Sequence, residues 1–126
     1  MRVAVELRAR IEETERQIQK DYGKTLEIVE KLKTKMNKLE QQTPDTQNGK
    51  ALDSAIKRLN RITDSHILRS KKAWEEYRKF EHECKQRSQY PVQMDNLRAM
   101  CKKTEDLAAD LLCYSLARFK QIEQQP

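Results

Sequence analysis

The stretch "LDSAIKRLNRITDSHILRSKKAWEEYRKFEHEC", residues 52–84, decides how the chain is read. No glycine or proline interrupts it. Leu52, Ile56, Leu59, Thr63, His66, Ser70, Ala73, Tyr77, Phe80 and Cys84 recur at alternating steps of four and three. That spacing puts them on one stripe of a helix, the seam along which helices pack on one another. The seam is apolar at both ends and polar in the middle, at Thr63, His66 and Ser70. Ile62, Ile67 and Trp74 lie beside it, so this helix has apolar surface for a third helix as well.

Working outward, the N-terminal segment carries the same signal. Ala4, Leu7, Ile11, Thr14 and Ile18 keep the four-three step, and Val29, Leu32, Met36 and Leu39 resume it in a shifted phase. Gly23 lies where the phase changes, which suggests a bend or a close approach to a neighbour. Between these two segments, "QQTPDTQNGKALD" holds Pro44, Asn48 and Gly49, all turn residues. A loop is expected over 43–49. Downstream, "RSQYPVQMD" contains Pro91, which either opens a new helix or kinks a continuous rod. Ser88 and Gln89 favour the turn. Beyond it Leu97, Cys101, Thr104, Leu107, Leu111 and Tyr114 form a third stripe, broadened by Ala108, Leu112, Leu116 and Phe119.

Three helices follow, at about 2–42, 50–89 and 92–123, joined by short connections that make sequential helices antiparallel neighbours. The expected fold is all-α, an elongated up-down-up three-helix bundle with coiled-coil-like packing, formed by residues 1–126 as a single domain. Antiparallel pairing of the first two helices sets Asp21 and Tyr22 near Ser70, with His66 one turn away. A carboxylate beside His66 would favour its protonated form.

Composition agrees with a thin bundle. The chain has 126 residues, of which 37% are charged and 37% hydrophobic, with only two glycines and three prolines. Each helix of a bundle buries only a stripe, so this apolar share suffices. The net charge of +6 comes from 26 basic and 20 acidic residues. That is a mixed surface, without the segregated basic residues of nucleic-acid modules, and nucleic acid is not an expected partner. Cys84, Cys101 and Cys113 are odd in number and follow no metal-ligand spacing. With no hydrophobic N-terminal segment in "MRVAVELRARIEE", the reading is a reducing, cytoplasmic setting with all three as thiols.

No phosphate loop, dinucleotide fingerprint, nucleophile elbow or zinc-protease motif occurs. In "FEHECKQ" His82 and Cys84 are two residues apart, which points them to different sides of a helix. Neither a Cys–His nucleophile nor a metal site is supported. The expectation is a chain without catalytic activity, cofactor or metal.

Surfaces remain. On helix three "LAADLLCYSLARF" is the most apolar window, and Leu107, Leu111, Leu112, Leu116 and Phe119 are the candidate partner-binding residues. Two basic stripes run at helical spacing: Lys20, Lys24, Lys31, Lys35 and Lys38, broken by Glu27, and Arg58, Arg61, Arg69, Lys72 and Lys79, broken by Glu76. Together they form a candidate face for an anionic partner. "DYGKTLEIVEKL" resembles the tyrosine–lysine–leucine helix of F-BAR domains, and "RSKKAWEEYRKFEHE" is similar to the basic, aromatic-bearing helices of BAR domains. Both resemblances are short, and they imply an anionic membrane surface. The length matches spectrin-type repeats, whose tryptophan placement does not map onto Trp74. The functional expectation is a helical scaffold or adaptor that associates with a protein partner or with itself. The alternative is a peripheral, BAR-like membrane-binding module using the basic faces of helices one and two.

Overall fold

The structure, a computed structural model, describes residues 2–41 and 46–123, with side chains over 5–41 and 49–118. Three helices fill it: α1 (Arg2–Gln41), α2 (Thr46–Gln86) and α3 (Val92–Glu123). Every helix contacts both others, giving an antiparallel up-down-up bundle. At 1.5 Å per residue, the 40 residues of α1 make a rod about 60 Å long.

Connection boundaries differ from the sequence reading. Asn48 and Gly49 are helical, because α2 already begins at Thr46. The first four N–H groups of a helix lack intrahelical partners anyway, so residues of poor helical propensity are tolerated there. Pro44 lies outside the described residues. At the other end, α2 stops at Gln86, three residues earlier than expected. Ser88 adopts a left-handed backbone, with φ 54°. Its N–H donates to the Lys85 carbonyl at 3.2 Å, and the Gln89 N–H donates to the Cys84 carbonyl at 3.0 Å. This paired capping pattern closes the helix, with serine where glycine is usual. Pro91 therefore follows a turn, not a kink, and its carbonyl accepts the Met94 N–H at 2.9 Å.

The core is divided along the rod. One end packs Leu7 and Ile11 of α1 against Ala73, Tyr77, Phe80 and Cys84 of α2 and Met94, Leu97 and Cys101 of α3. The other end packs Leu32 and Met36 against Ala55, Ile56 and Leu59, with Val29 meeting Leu107 and Leu111. Between them lies a waist of buried polar residues: Thr25, Thr63, His66, Ser70 and Thr104. The weak centres of the seams do coincide.

Ion pairs hold the register between helices. Arg69 Nε donates to Asp21 Oδ2 at 2.8 Å, and its Nη2 donates to Thr25 Oγ1 at 3.0 Å. Arg10 reaches Glu83 at 3.2 Å. These pairs match the expected α1–α2 alignment within one turn. The parallel α1–α3 pair is stitched by cations over rings, Lys103 on Tyr22 at 5.0 Å and Lys33 on Tyr114 at 4.6 Å. Arg118 completes that seam, bonding Glu40, the Asn37 side-chain carbonyl and the Tyr114 hydroxyl.

Gly23 is exposed, and a Cβ added there would meet nothing within 4 Å. The close approach suggested by the sequence is absent. The phase shift is met instead by two successive four-residue steps, Thr14–Ile18–Tyr22, all half-buried.

Candidate functional site

The five candidate residues of α3 fall into two sets. Leu107 and Leu111 are buried in the monomer core, 8% and 1% exposed. Leu112 and Leu116 remain on the surface, 43% and 54% exposed. The Phe119 side chain lies outside the described residues. One residue is 100° of helical rotation, so Leu111 and Leu112 cannot share a face.

The exposed leucines border a long groove between α2 and α3, on the side away from α1. Its main part encloses about 680 Å³ and is lined by Ile67, Ser70 and Trp74 of α2 and Ala108, Ala109 and Leu112 of α3. Lys71, Glu75, Arg78 and Glu105 form its rim. Continuing along the rod, Asn60, Asp64 and Ser115 lead to Leu116. The small residues are what opens the groove, since alanine and serine leave the space a larger side chain would fill. Trp74 stands edge-on to Tyr77, with ring centroids 5.7 Å apart. Its buried indole N–H has no hydrogen-bond acceptor. As the sequence reading has it, Trp74 lies beside the seam with Ile67, and the ring is partly buried against the core. What that reading did not give is the open groove in front of the ring.

Part of the α2 basic stripe lines a second groove, between α1 and α2, and none of the α1 lysines does. Arg58, Arg61 and Arg69 line it together with Thr25, Ile28, Ile62 and Ser65. Arg69 is committed to Asp21 and Thr25, whereas Arg58 and Arg61 enter no ion pair among the described residues. Lys20, Lys24, Lys35, Lys38 and Lys72 are exposed. Lys31 pairs with Glu27 at 3.1 Å, and Lys79 with Glu76 at 3.2 Å.

The waist also carries an imidazole. His66 is fully buried, and its Nε2 lies 3.0 Å from the Thr104 carbonyl. A carbonyl only accepts, so Nε2 bears the proton of the neutral ring and Nδ1 is bare. Nδ1 has no partner. Burial lowers the His66 pKa, and nearby Arg69 adds to the effect, against the Thr104 bond and Asp21. The sequence reading, that a neighbouring carboxylate favours the charged ring, is therefore reversed. Asp21 is near, but Arg69 already neutralises it.

Thiol chemistry is muted by the same burial. The Cys101 pKa is pushed up to about 11 by desolvation, with its S–H donating to the Ala73 carbonyl at 3.4 Å. Cys84 is also raised, while Cys113 is exposed on α3. Among the described residues no cluster of His, Cys, Asp and Glu could hold a metal. No helix among them is long and apolar enough to cross a membrane. Compared with known proteins, the chain matches no family model, no curated protein and no solved structure.

Proposed function

We propose that the chain is a non-catalytic helical scaffold that associates with other helices, through the outer face of α2 and α3. One observation carries this reading: Leu112 and Leu116, one turn apart, stand exposed beside an apolar-floored groove. Amphipathic helices dock into such grooves through residues at one-turn spacing. A reducing, cytoplasmic setting fits the reading, since Cys84 and Cys101 serve it as buried thiols. Cys113 adjoins Leu112 and gives the test. A thiol-directed crosslinker on Cys113 is expected to capture cellular protein, and the adducts are expected to vanish in Leu112→Glu/Leu116→Glu with helix content unchanged. Adducts that survive the double substitution would refute the reading.

A second reading, a peripheral module on anionic membranes, is favoured by the groove that gathers Arg58 and Arg61, neither in an ion pair among the described residues, and by the exposed lysines of α1. Each basic residue near an anionic bilayer contributes about 1 kcal/mol. Arg58→Glu, Arg61→Glu and Lys72→Glu together should abolish pelleting with anionic liposomes. Arg69 is left intact because it holds α1 to α2. Pelleting equal to that of the unaltered chain would remove this reading.

A further inference from the structure

We propose that the α1–α2 groove is a discrete binding site for a phosphomonoester group carried on an apolar body. The inference rests on the membrane reading above and deepens it, since it gives that basic face a particular ligand chemistry.

The groove encloses about 400 Å³, and its lining combines arginines, hydroxyls and isoleucines with no carboxylate. Other grooves along the rod are mixed in charge. Glu75 and Glu105 line the α2–α3 groove, Asp64 its continuation, and Glu13 and Glu76 the groove beside Phe80. The nearby Asp21 is closed off, because its carboxylate accepts from Arg69 Nε. Arg69 also donates to the hydroxyls of Thr25 and Ser65. Those three bonds hold its guanidinium as a fixed wall of the groove. The Ser65 hydroxyl accepts from Arg69 and keeps its own O–H, which finds no acceptor among the described residues. What the groove offers a ligand is therefore donors.

Arg58 and Arg61 stand one turn apart on α2, and both line the groove. Neither enters an ion pair among the described residues. Like charges at that spacing repel. The chain carries this cost, and an anion between the two relieves it. Lys24, Lys35 and Lys72 are unpaired among those residues as well, but none of them lines the groove. Lys24 and Lys35 lie four residues before and seven after Ile28, on the same side of α1. They add to the positive potential around the opening.

Charge and geometry select the group. A phosphomonoester bears about two negative charges at neutral pH and three acceptor oxygens, against two unpaired guanidiniums. Planar guanidinium forks deliver parallel N–H donors to such oxygens, which an ammonium cannot do. A carboxylate brings half the charge and leaves one fork unused. Ile28, 41% exposed, and Ile62 give the site an apolar side. That side suits an acyl or aromatic body attached to the phosphate and gives free phosphate nothing.

Calorimetric titration of the full chain with phenyl phosphate, benzoate and inorganic phosphate at low ionic strength tests this. Phenyl phosphate is expected to bind saturably at one per chain, with benzoate and inorganic phosphate each weaker by about tenfold or more. Arg58→Lys/Arg61→Lys keeps the charge and removes the forks, and should weaken phenyl phosphate by about tenfold. Lys24→Gln/Lys35→Gln should weaken it by less than about threefold, since exposed charges outside the groove are screened. Circular dichroism checks that the variants stay helical. Vesicles then identify the source. Tighter pelleting with phosphatidic acid than with phosphatidylserine at equal vesicle charge, competed by phenyl phosphate, assigns the group to a lipid headgroup. Phenyl phosphate binding without that preference assigns it to a soluble ester. Absence of saturable binding overturns the proposal, as does benzoate binding equally or a lysine double variant that binds as the unaltered chain does. Pelleting with phosphatidylserine vesicles is untouched by those three results, so failure of the site and failure of the membrane reading are told apart.

Discussion

Acidification should weaken this fold through one side chain. In the neutral ring of His66, Nε2–H is used on Thr104, and Nδ1 faces the interior without a partner. Protonation would place an N–H⁺ there with no acceptor, beside Arg69. The folded-state pKa is therefore depressed below the ordinary histidine value of about 6.5. The sign follows from linkage. Below about 6.5 the unfolded chain binds a proton that the folded chain refuses, so stability falls as pH falls. At pH 5.5 the unfolded ring is about tenfold more protonated than neutral, which corresponds to about 1.4 kcal/mol per site. His66→Leu removes the titrating group while keeping the site filled. Urea unfolding followed by circular dichroism at pH 7.5 and 5.5 gives the comparison. The unaltered chain should lose up to about 1.4 kcal/mol more than His66→Leu, or roughly 4 °C in melting temperature. Identical pH dependence in the two chains would refute the reasoning. So would a relative gain on acidification, which would mean that Asp21 governs the ring.

Other perturbations test the surrounding structure. Gly23→Ala should stabilise the bundle by up to about 1 kcal/mol, since the added methyl meets open space and removes a helix-interior glycine; a loss in urea unfolding would contradict the open geometry. Ser88→Gly should stabilise by about 0.5–1 kcal/mol, because glycine adopts the left-handed cap without strain. A loss of stability there would show that the serine is not strained at this turn. With a thiol reagent at pH 8, Cys113 should react quickly and Cys84 and Cys101 only after unfolding. More than one fast thiol in the folded chain would dispute the burial of the other two.

Much of the fold was legible because a seam is a long periodic signal. Ten residues from Leu52 to Cys84 specify one helical face, and no local preference competes with it. The polar waist was readable for the same reason, as gaps at Thr63, His66 and Ser70 in an otherwise apolar stripe. Local signals fared worse. Asn48 and Gly49 look like turn residues, but the first turn of a helix accepts them. Gly23 looked like a packing device, yet what stands near its Cα depends on how the neighbouring helices pack, and nothing does. The α3 surface was half legible. Leucines at 107, 111, 112 and 116 read as one apolar window, whereas helical rotation gives the first two to the core and the last two to solvent. His66 was placed correctly and its electrostatics were not. Proximity to Asp21 was foreseeable, but its neutralisation by Arg69 depends on which long side chain arrives first.

Trp74 is the only tryptophan in the chain, and it lines the α2–α3 groove. Indole emission from this protein therefore comes from one place. While the groove is open, soluble quenchers reach the ring's exposed edge. A helix laid over Ala108 and Leu112 would shield that edge and shift the emission to shorter wavelength. The molecule thus carries an optical reporter at the surface in question. It needs no label, and it responds to any occupant, whether a second copy or a foreign helix.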